Sequence, residues 1–350
     1  MIPYYVMLLI IVFCIFREER LTTEKSKRWN FIFALMPFFV LMAFKADTIG
    51  TDTERYLASY RELAQYHVID VLDPFGYERI ELGYKTYILL LSRFLPDPQF
   101  LLIVTSVFVS ISLYYFISRT STNRCLALFF FVTLGFFQFA MSGIRQTIAI
   151  CIMLWSYEFI VKRKLWKFAL MVLLAMQFHK SSVLAAPIYF IADMRFSKKA
   201  VGILFVGFII LFNVSDILLL QTADVMNYDY GIEETGNGYI FFFIVLFITI
   251  LVVNDMERLK SLRSSNLHMI NVNFVSLALW VVRLVSRTAE RVSLYFMPYT
   301  YIVLEEYLMT RPKEKKYSYI FIAIILSSFL CLKRLDNAEQ FSNFKFFFEV

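Results

Sequence analysis

The chain has 350 residues, of which 59% are hydrophobic and 18% charged. A globular domain runs nearer to about 45–50% and about 25%, and a soluble chain of this length cannot hide an apolar excess that includes 39 phenylalanines. A soluble enzyme, a disordered chain, a collagen and a repeat solenoid are thereby excluded, which leaves an all-α integral membrane protein. The formal net charge of +7 fits the Lys/Arg excess of cytoplasmic loops and calls for no nucleic acid.

In chain order, Met1–Phe16 is apolar but lacks a basic leader region and a small-residue cleavage site, so it is expected to stay as the first span. Further runs long enough to cross hydrocarbon lie near 29–44, 99–117, 125–141, 145–161, 200–220, 238–253, 270–286, 291–308 and 318–332. Two shorter runs, 165–178 and 181–194, flank His179, and a run at 83–95 is interrupted by Lys85 and Arg93. Cys14, Cys125, Cys151 and Cys331 are scattered through apolar stretches and read as small core residues rather than disulfide or metal partners.

Basic clusters set the orientation. They sit at Arg17–Arg28, Arg119/Arg124, Lys162–Lys167, Arg195–Lys199, Arg258–Arg263 and Arg311–Lys316, and placing all six on the cytoplasmic side accounts for 21 of the 35 Lys and Arg residues. That choice puts the N-terminus outside, gives about twelve spans in one polytopic domain over 1–350, and makes 83–95 a re-entrant or interfacial helix. Each arm around His179 is about 14 residues, or roughly 21 Å, short of a ~30 Å core. Either the bilayer thins there or the hairpin tip lies in a cavity below the outer surface. The outer (periplasmic) face then carries a long loop at 47–98 and an acidic loop at 221–238 with Asp224, Asp229, Glu233 and Glu234 among tyrosines.

By the same parity Arg145, His179, Arg283, Arg287 and Arg291 all fall at outer turns, and Asp52 and Glu81 lie in the outer loop. A spacing of four puts the three later arginines on one stripe if the segment stays helical. Each arginine at depth costs roughly 2.5–3.5 kcal/mol. Glu290 can neutralise one; the others suit an anion held bidentately, such as a phosphate, or a lipid phosphate reached by snorkelling. Arg145 opens a span and is either an interfacial anchor or part of that site. His179 is either a packed histidine or a proton-exchanging one. Asp52 is most simply the N-cap of a helix over 53–66. Glu78 and Glu81 share a helix face if helical, as an acid/base pair or a solvated face. There is no Asp-x-Asp motif, P-loop, Gly-x-Gly-x-x-Gly, His-Glu-x-x-His or Gly-x-Ser-x-Gly. No metal or cofactor is therefore expected, and arginines would neutralise an anionic substrate.

The segment Phe44-Lys45-Ala46-Asp47-Thr48-Ile49-Gly50-Thr51-Asp52-Thr53-Glu54-Arg55-Tyr56 resembles the first outer loop of the EpsG family. So do Glu81-Leu82-Gly83-Tyr84, Arg145-Gln146-Thr147-Ile148-Ala149, Phe178-His179-Lys180-Ser181-Ser182 and Arg291-Val292-Ser293-Leu294-Tyr295-Phe296, in order over about 45–300. Lys45 departs from the arginine expected there in many members; it keeps the charge but loses the fork, and it is left out of the core site. The resemblance implies a Wzy-type polymerase of O-antigen, capsule or exopolysaccharide, a metal-independent membrane glycosyltransferase of GT-C-like architecture in the bacterial inner membrane. Such an enzyme moves a glycan from undecaprenyl pyrophosphate onto a new lipid-linked repeat unit. Its partners would be those lipid-linked glycans, membrane lipid and a chain-length regulator protein.

Under this reading Arg145 and Arg291, with Arg283, Arg287 and Lys180, meet the pyrophosphate. His179, Asp52 and Glu81 are the candidates for general base, and Tyr56 and Tyr84 meet the sugars. The alternatives are an O-antigen ligase, which uses the same donor, and a lipid-linked oligosaccharide flippase. A carrier should show repeats and a polar path near the midplane, and neither is read in the sequence.

Overall fold

The computed structural model describes residues 1–66, 80–196, 238–263, 265–284 and 288–349. Among these, every regular element is helical; one antiparallel bridge, Lys45 to Phe346, is the strand-like exception. The chain divides into two compact units, Met1–Val183 with Arg311–Val350, and Leu184–Thr310.

The first unit opens with α1 (Ile2–Glu18), which starts at a proline in its first turn, where the missing N–H costs nothing. Its inner face buries Tyr4, Met7, Ile11 and Cys14, while Ile2, Leu9 and Phe13 stay exposed on the outer face. A helix apolar on both faces is built for lipid. α2 (Glu24–Ala43) follows; the Thr23 hydroxyl caps it by accepting from the Ser26 amide at 3.2 Å. After α3 (Thr53–Leu63), α4 (Leu82–Phe94) and α5 (Gln99–Thr120), the expected span at 125–141 is two helices. α6 (Arg124–Thr133) and α7 (Phe136–Ala140) part at Gly135, whose φ of +111° only glycine adopts freely. Carbonyls released at the break, of Val132 and Thr133, face Cys331 and Arg334 on α16 (Lys313–Asn337). The buried Glu18 carboxylate caps α6, accepting from the Cys125 amide at 3.0 Å. α8 (Ile144–Val161) and α9 (Leu165–Met176) pack as neighbours. α17 (Glu339–Ser342) and a phenylalanine-rich tail close the unit.

In the second unit the expected run at 181–194 is broken. A 3₁₀ turn, Lys180–Ala185, straddles the boundary between the units, and only the short α10 (Ile188–Ile191) follows it. α11 (Tyr239–Asn254) and α12 (Met256–Leu262) meet at a bend of 75°. α13 (Ser265–Arg283), α14 (Thr288–Ser293) and α15 (Met297–Met309) complete the unit. α13 buries a row of asparagines that the sequence reading passed over. Asn266 donates to the Leu259 carbonyl at 2.8 Å, Asn271 to that of Ala192 at 2.8 Å, and Asn273 to the Thr249 hydroxyl at 3.0 Å. These are interhelical ties of the kind that hold helices together where lipid offers no hydrophobic contrast.

Four described helices are long and apolar enough to cross a membrane, α5, α8, α13 and α16, and the bent α11–α12 pair makes a fifth. The chain is thus a multi-pass membrane protein whose described regular elements are all helices. The expected span at 200–220 and all but the last residue of the acidic loop lie outside the described residues.

Candidate active site

Glu81 is the hub of the site. It occupies the N-cap position of α4 and turns its carboxylate away from the helix, with no capping bond of its own. One oxygen, Oε2, pairs with Arg145 Nη1 at 2.6 Å; the other, Oε1, lies 3.4 Å from His179 Nδ1 and accepts from the Lys180 amide at 3.3 Å. A distance of 3.4 Å is a close polar contact rather than a full hydrogen bond. The Glu81 and His179 side chains are 7% and 14% exposed. Burial raises the Glu81 carboxyl pKa, but the imidazole contact and the Arg145 charge outweigh it and hold it below the usual carboxylate range. Glu81 is therefore an anion at neutral pH and serves as an anchor for two other groups.

Two tyrosines frame this junction. The Tyr56 hydroxyl hydrogen-bonds Arg145 from α3, and its ring meets the Tyr84 ring edge-on at 5.9 Å. Tyr84 is fully buried, and its amide donates to the Gln177 carbonyl at 3.1 Å. That bond brings the start of α4 so close to the hairpin before His179 that a Cβ on Gly83 would lie 2.5 Å from Gln177 Cβ. Burial raises the pKa of the Tyr84 hydroxyl well above the ordinary tyrosine value. Three buried hydroxyls, Tyr84 Oη, Thr147 Oγ1 and Ser182 Oγ, have no hydrogen-bond partner among the described residues. They stand within three residues of Glu81, Arg145 and His179 respectively. Unspent hydroxyls beside a charged cluster suit a polar ligand.

Asp52 differs from its expected role. It stands at the N-cap position of α3, which ends at Leu63 rather than 66, but its carboxylate makes no capping bond. It reaches Arg55 Nη2 at 2.6 Å instead and is 32% exposed. It opens onto a shallow groove of about 350 Å³ lined by Thr51, Asp52, Glu54, Arg55 and Ala58.

Arg283 and Arg291 belong to the second unit. α13 closes at Arg283 and α14 covers Thr288–Ser293, while the expected stripe runs through Arg287, outside the described residues. Arg283 is buried and pairs with Glu290 at 2.6 Å, so the expected neutralisation is present. Arg291 is exposed on α14. Arg287 and Glu78 lie outside the described residues.

One arrangement escaped the sequence reading, and a second, at Lys45, was set aside in it. His268 Nε2 lies 2.6 Å from Asp193 Oδ1 in the second unit, a carboxylate–imidazole pair 75 residues apart. No local pattern marks it. Lys45 is 1% exposed, and its Nζ reaches Ile49 O at 2.8 Å, Thr53 Oγ1 at 2.5 Å and Met141 O at 2.5 Å. Burial pushes this amine down to about 7. Its signal was available: a lysine in an otherwise conforming motif that follows an apolar helix.

The model of the EpsG family matches residues 28–347. The chain belongs to the EpsG family. Membership makes it a membrane protein of the polysaccharide-polymerase type. No curated protein and no solved structure matches the chain. The match spans the Arg145–Glu81–His179 junction, the Lys45 node and the second-unit arginines alike.

Proposed function

We propose that this EpsG-family chain polymerises lipid-linked repeat units into O-antigen or exopolysaccharide at the outer face of the bacterial inner membrane. It transfers the growing glycan from undecaprenyl pyrophosphate to a sugar hydroxyl of a new repeat unit. In this reading the chain is a single polytopic domain of GT-C-like architecture with about twelve spans, and the 47–98 loop faces the periplasm. The observation that carries the reading is one carboxylate, Glu81, holding a cation and an imidazole together.

The chemistry divides between those two groups. Arg145 has five donors, and Glu81 takes one at Nη1. Held by Glu81 and by the Tyr56 hydroxyl, the guanidinium meets the pyrophosphate, whose charge grows as the sugar–oxygen bond breaks. Lys180 adds positive charge for the same group. Glu81 faces the Nδ1 side of His179, so Nε2 is left to take the acceptor proton as general base. The new glycosidic bond forms, the old C1–O bond breaks, and undecaprenyl pyrophosphate leaves with the electron pair. Asp52, Tyr56 and Tyr84 bind the sugars. Arginine charge takes the place of a metal ion.

The test is a surface-polysaccharide ladder from a strain lacking this gene, complemented with wild-type, Arg145→Ala or His179→Ala. Wild type restores the ladder. Each variant, at normal protein level, stops at lipid A core with a single repeat unit. Normal ladders from both variants refute the site. A strain without the gene in which no repeat unit reaches the core identifies a ligase or a flippase instead.

A further inference from the structure

The loop that carries Asp52 is fastened from two directions, and Lys45 lies at the crossing. On one side the C-terminal tail pairs with it through the backbone. The Ala46 amide donates to Lys345 O at 3.0 Å, the Phe347 amide to Phe44 O at 2.9 Å, and the Gly50 amide to Gln340 O at 3.3 Å. On the other side the loop lies flat against the turn that leads into α8. The Thr51 amide donates to Ser142 Oγ at 3.2 Å. Gly50, at φ +94°, comes so near that a Cβ there would sit 2.4 Å from Met141 O.

Between these two attachments the Lys45 ammonium has three protons and three acceptors: a carbonyl of its own loop, the first side chain of α3 and the carbonyl of Met141. Thr53 Oγ1 in turn donates to Ile49 O at 2.6 Å. Arg145 begins four residues after Met141, and Tyr56, its hydrogen-bond partner, is three residues after Thr53. One buried side chain therefore bonds to both of the segments that carry Arg145 and Tyr56, beside the direct bonds from Thr53 Oγ1 to Met141 O and from the Thr51 amide to Ser142 Oγ.

We propose that Lys45 is a positioning residue of the Arg145 site, which holds the turn before α8 against the start of α3 so that Tyr56 and Arg145 meet in register. The inference rests on the polymerase reading for its assay. Lys45 touches no substrate; it acts through the loop.

Lys45→Met keeps the stem and removes the three donors. Lys45→Arg keeps the charge and several donors. Both are placed in the complemented strain beside Arg145→Ala, and the ladder is read at equal protein level. Lys45→Met is expected to reduce polymer by tenfold or more, since a misplacement of about 1 Å at a site costs on the order of a hundredfold. Lys45→Arg is expected to recover part of the loss, since it keeps the charge and several donors without the compact fit, whereas a mere packing role would give no recovery, the guanidinium being bulkier. Where Lys45→Met does not accumulate, Thr53→Val removes one acceptor of Lys45 together with the hydroxyl's own bonds to Ile49 O and Met141 O, and is expected to shorten the ladder in the same way. A cysteine pair at Thr51 and Ser142 reports the loop itself: oxidation cross-links it in the wild-type background and several-fold less in Lys45→Met. The proposal is overturned if Lys45→Met, or Thr53→Val in its place, gives a full ladder while Arg145→Ala does not. A full ladder from Arg145→Ala sinks the site reading instead. Those two failures are distinct.

Discussion

Replacing Gly83 by alanine places a methyl carbon 2.5 Å from Gln177 Cβ and 2.8 Å from the Gln177 carbonyl oxygen. Ordinary carbon–carbon contact is about 3.5–4.0 Å, so the two segments must part by about 1 Å. Two of the three nearest atoms are backbone, so rotating a side chain does not relieve the clash. The movement falls on Glu81, two residues before Gly83, and stretches its contacts of 3.4 Å to His179 and 3.3 Å to the Lys180 amide. Loss of register of this size costs on the order of a hundredfold in rate, or about 2.7 kcal/mol of barrier. Stability moves little, because overpacking of about 1–3 kcal/mol is offset by about 1 kcal/mol of helix propensity gained by alanine. The expected result is a collapsed polysaccharide ladder from a protein that accumulates and melts in detergent nearly as wild type does. Gln177→Gly in the same chain should restore only part of the activity, since it removes Cβ but not the carbonyl. A full-length ladder from Gly83→Ala would refute the claim that this close approach sets the geometry of Glu81.

Asp52→Asn should leave stability almost unchanged, since the carboxylate caps nothing and an exposed pair with Arg55 contributes about 0–1 kcal/mol. A lost ladder at unchanged melting temperature then marks a site residue, and an intact ladder removes Asp52 from the site. Glu290→Gln leaves Arg283 buried beside a neutral partner. A fully buried pair broken this way loses about 3–5 kcal/mol, and the half-exposed Glu290 brings the expected loss down to about 1–3 kcal/mol, read as a lower melting temperature in detergent. Lys45 gives a pH signature. From about pH 7, its folded value, to the ordinary lysine value of about 10.4, the unfolded chain holds a proton that the folded chain releases. Stability from this group therefore rises with pH across that window, and the difference between wild type and Lys45→Met measured at pH 6.5 and 9.5 should grow in favour of wild type (the two pH values are roughly half to one unit inside or outside the window). Glu81 has a dependence of the same sign in a more acidic window: its carboxyl lies below the free value of about 4.3, so its contribution is complete above that pH and is lost as pH falls further. Glu81→Gln should flatten the acid limb of the melting curve.

Much of this was legible without coordinates, and the parts that were not have identifiable physical causes. Composition alone requires lipid, and α1 shows why: Tyr4 and Ile11 turn inward while Leu9 and Phe13 face out, and both faces are apolar. Such a helix carries no period from which its inner face can be read. The break at Gly135 was written in the chain as a lone glycine inside an apolar run, but hydropathy weighs a glycine in a span as mildly apolar and sees nothing of φ. The site was legible as a set and not as a geometry. Counting basic loops assigns Glu81, Arg145 and His179 to one face, whereas the shared carboxylate joins residues 64 positions apart for Arg145 and needs the α4 start to touch the hairpin. That touch depends on the absence of a side chain at Gly83, and an absence has no pattern. Lys45 fails the same way from the other side. Read against an expected arginine it looks like a loss of fork geometry, yet three acceptors arranged around one point suit the compact ammonium that lysine supplies. The residue type that seemed to weaken the motif is the one its surroundings are shaped to hold.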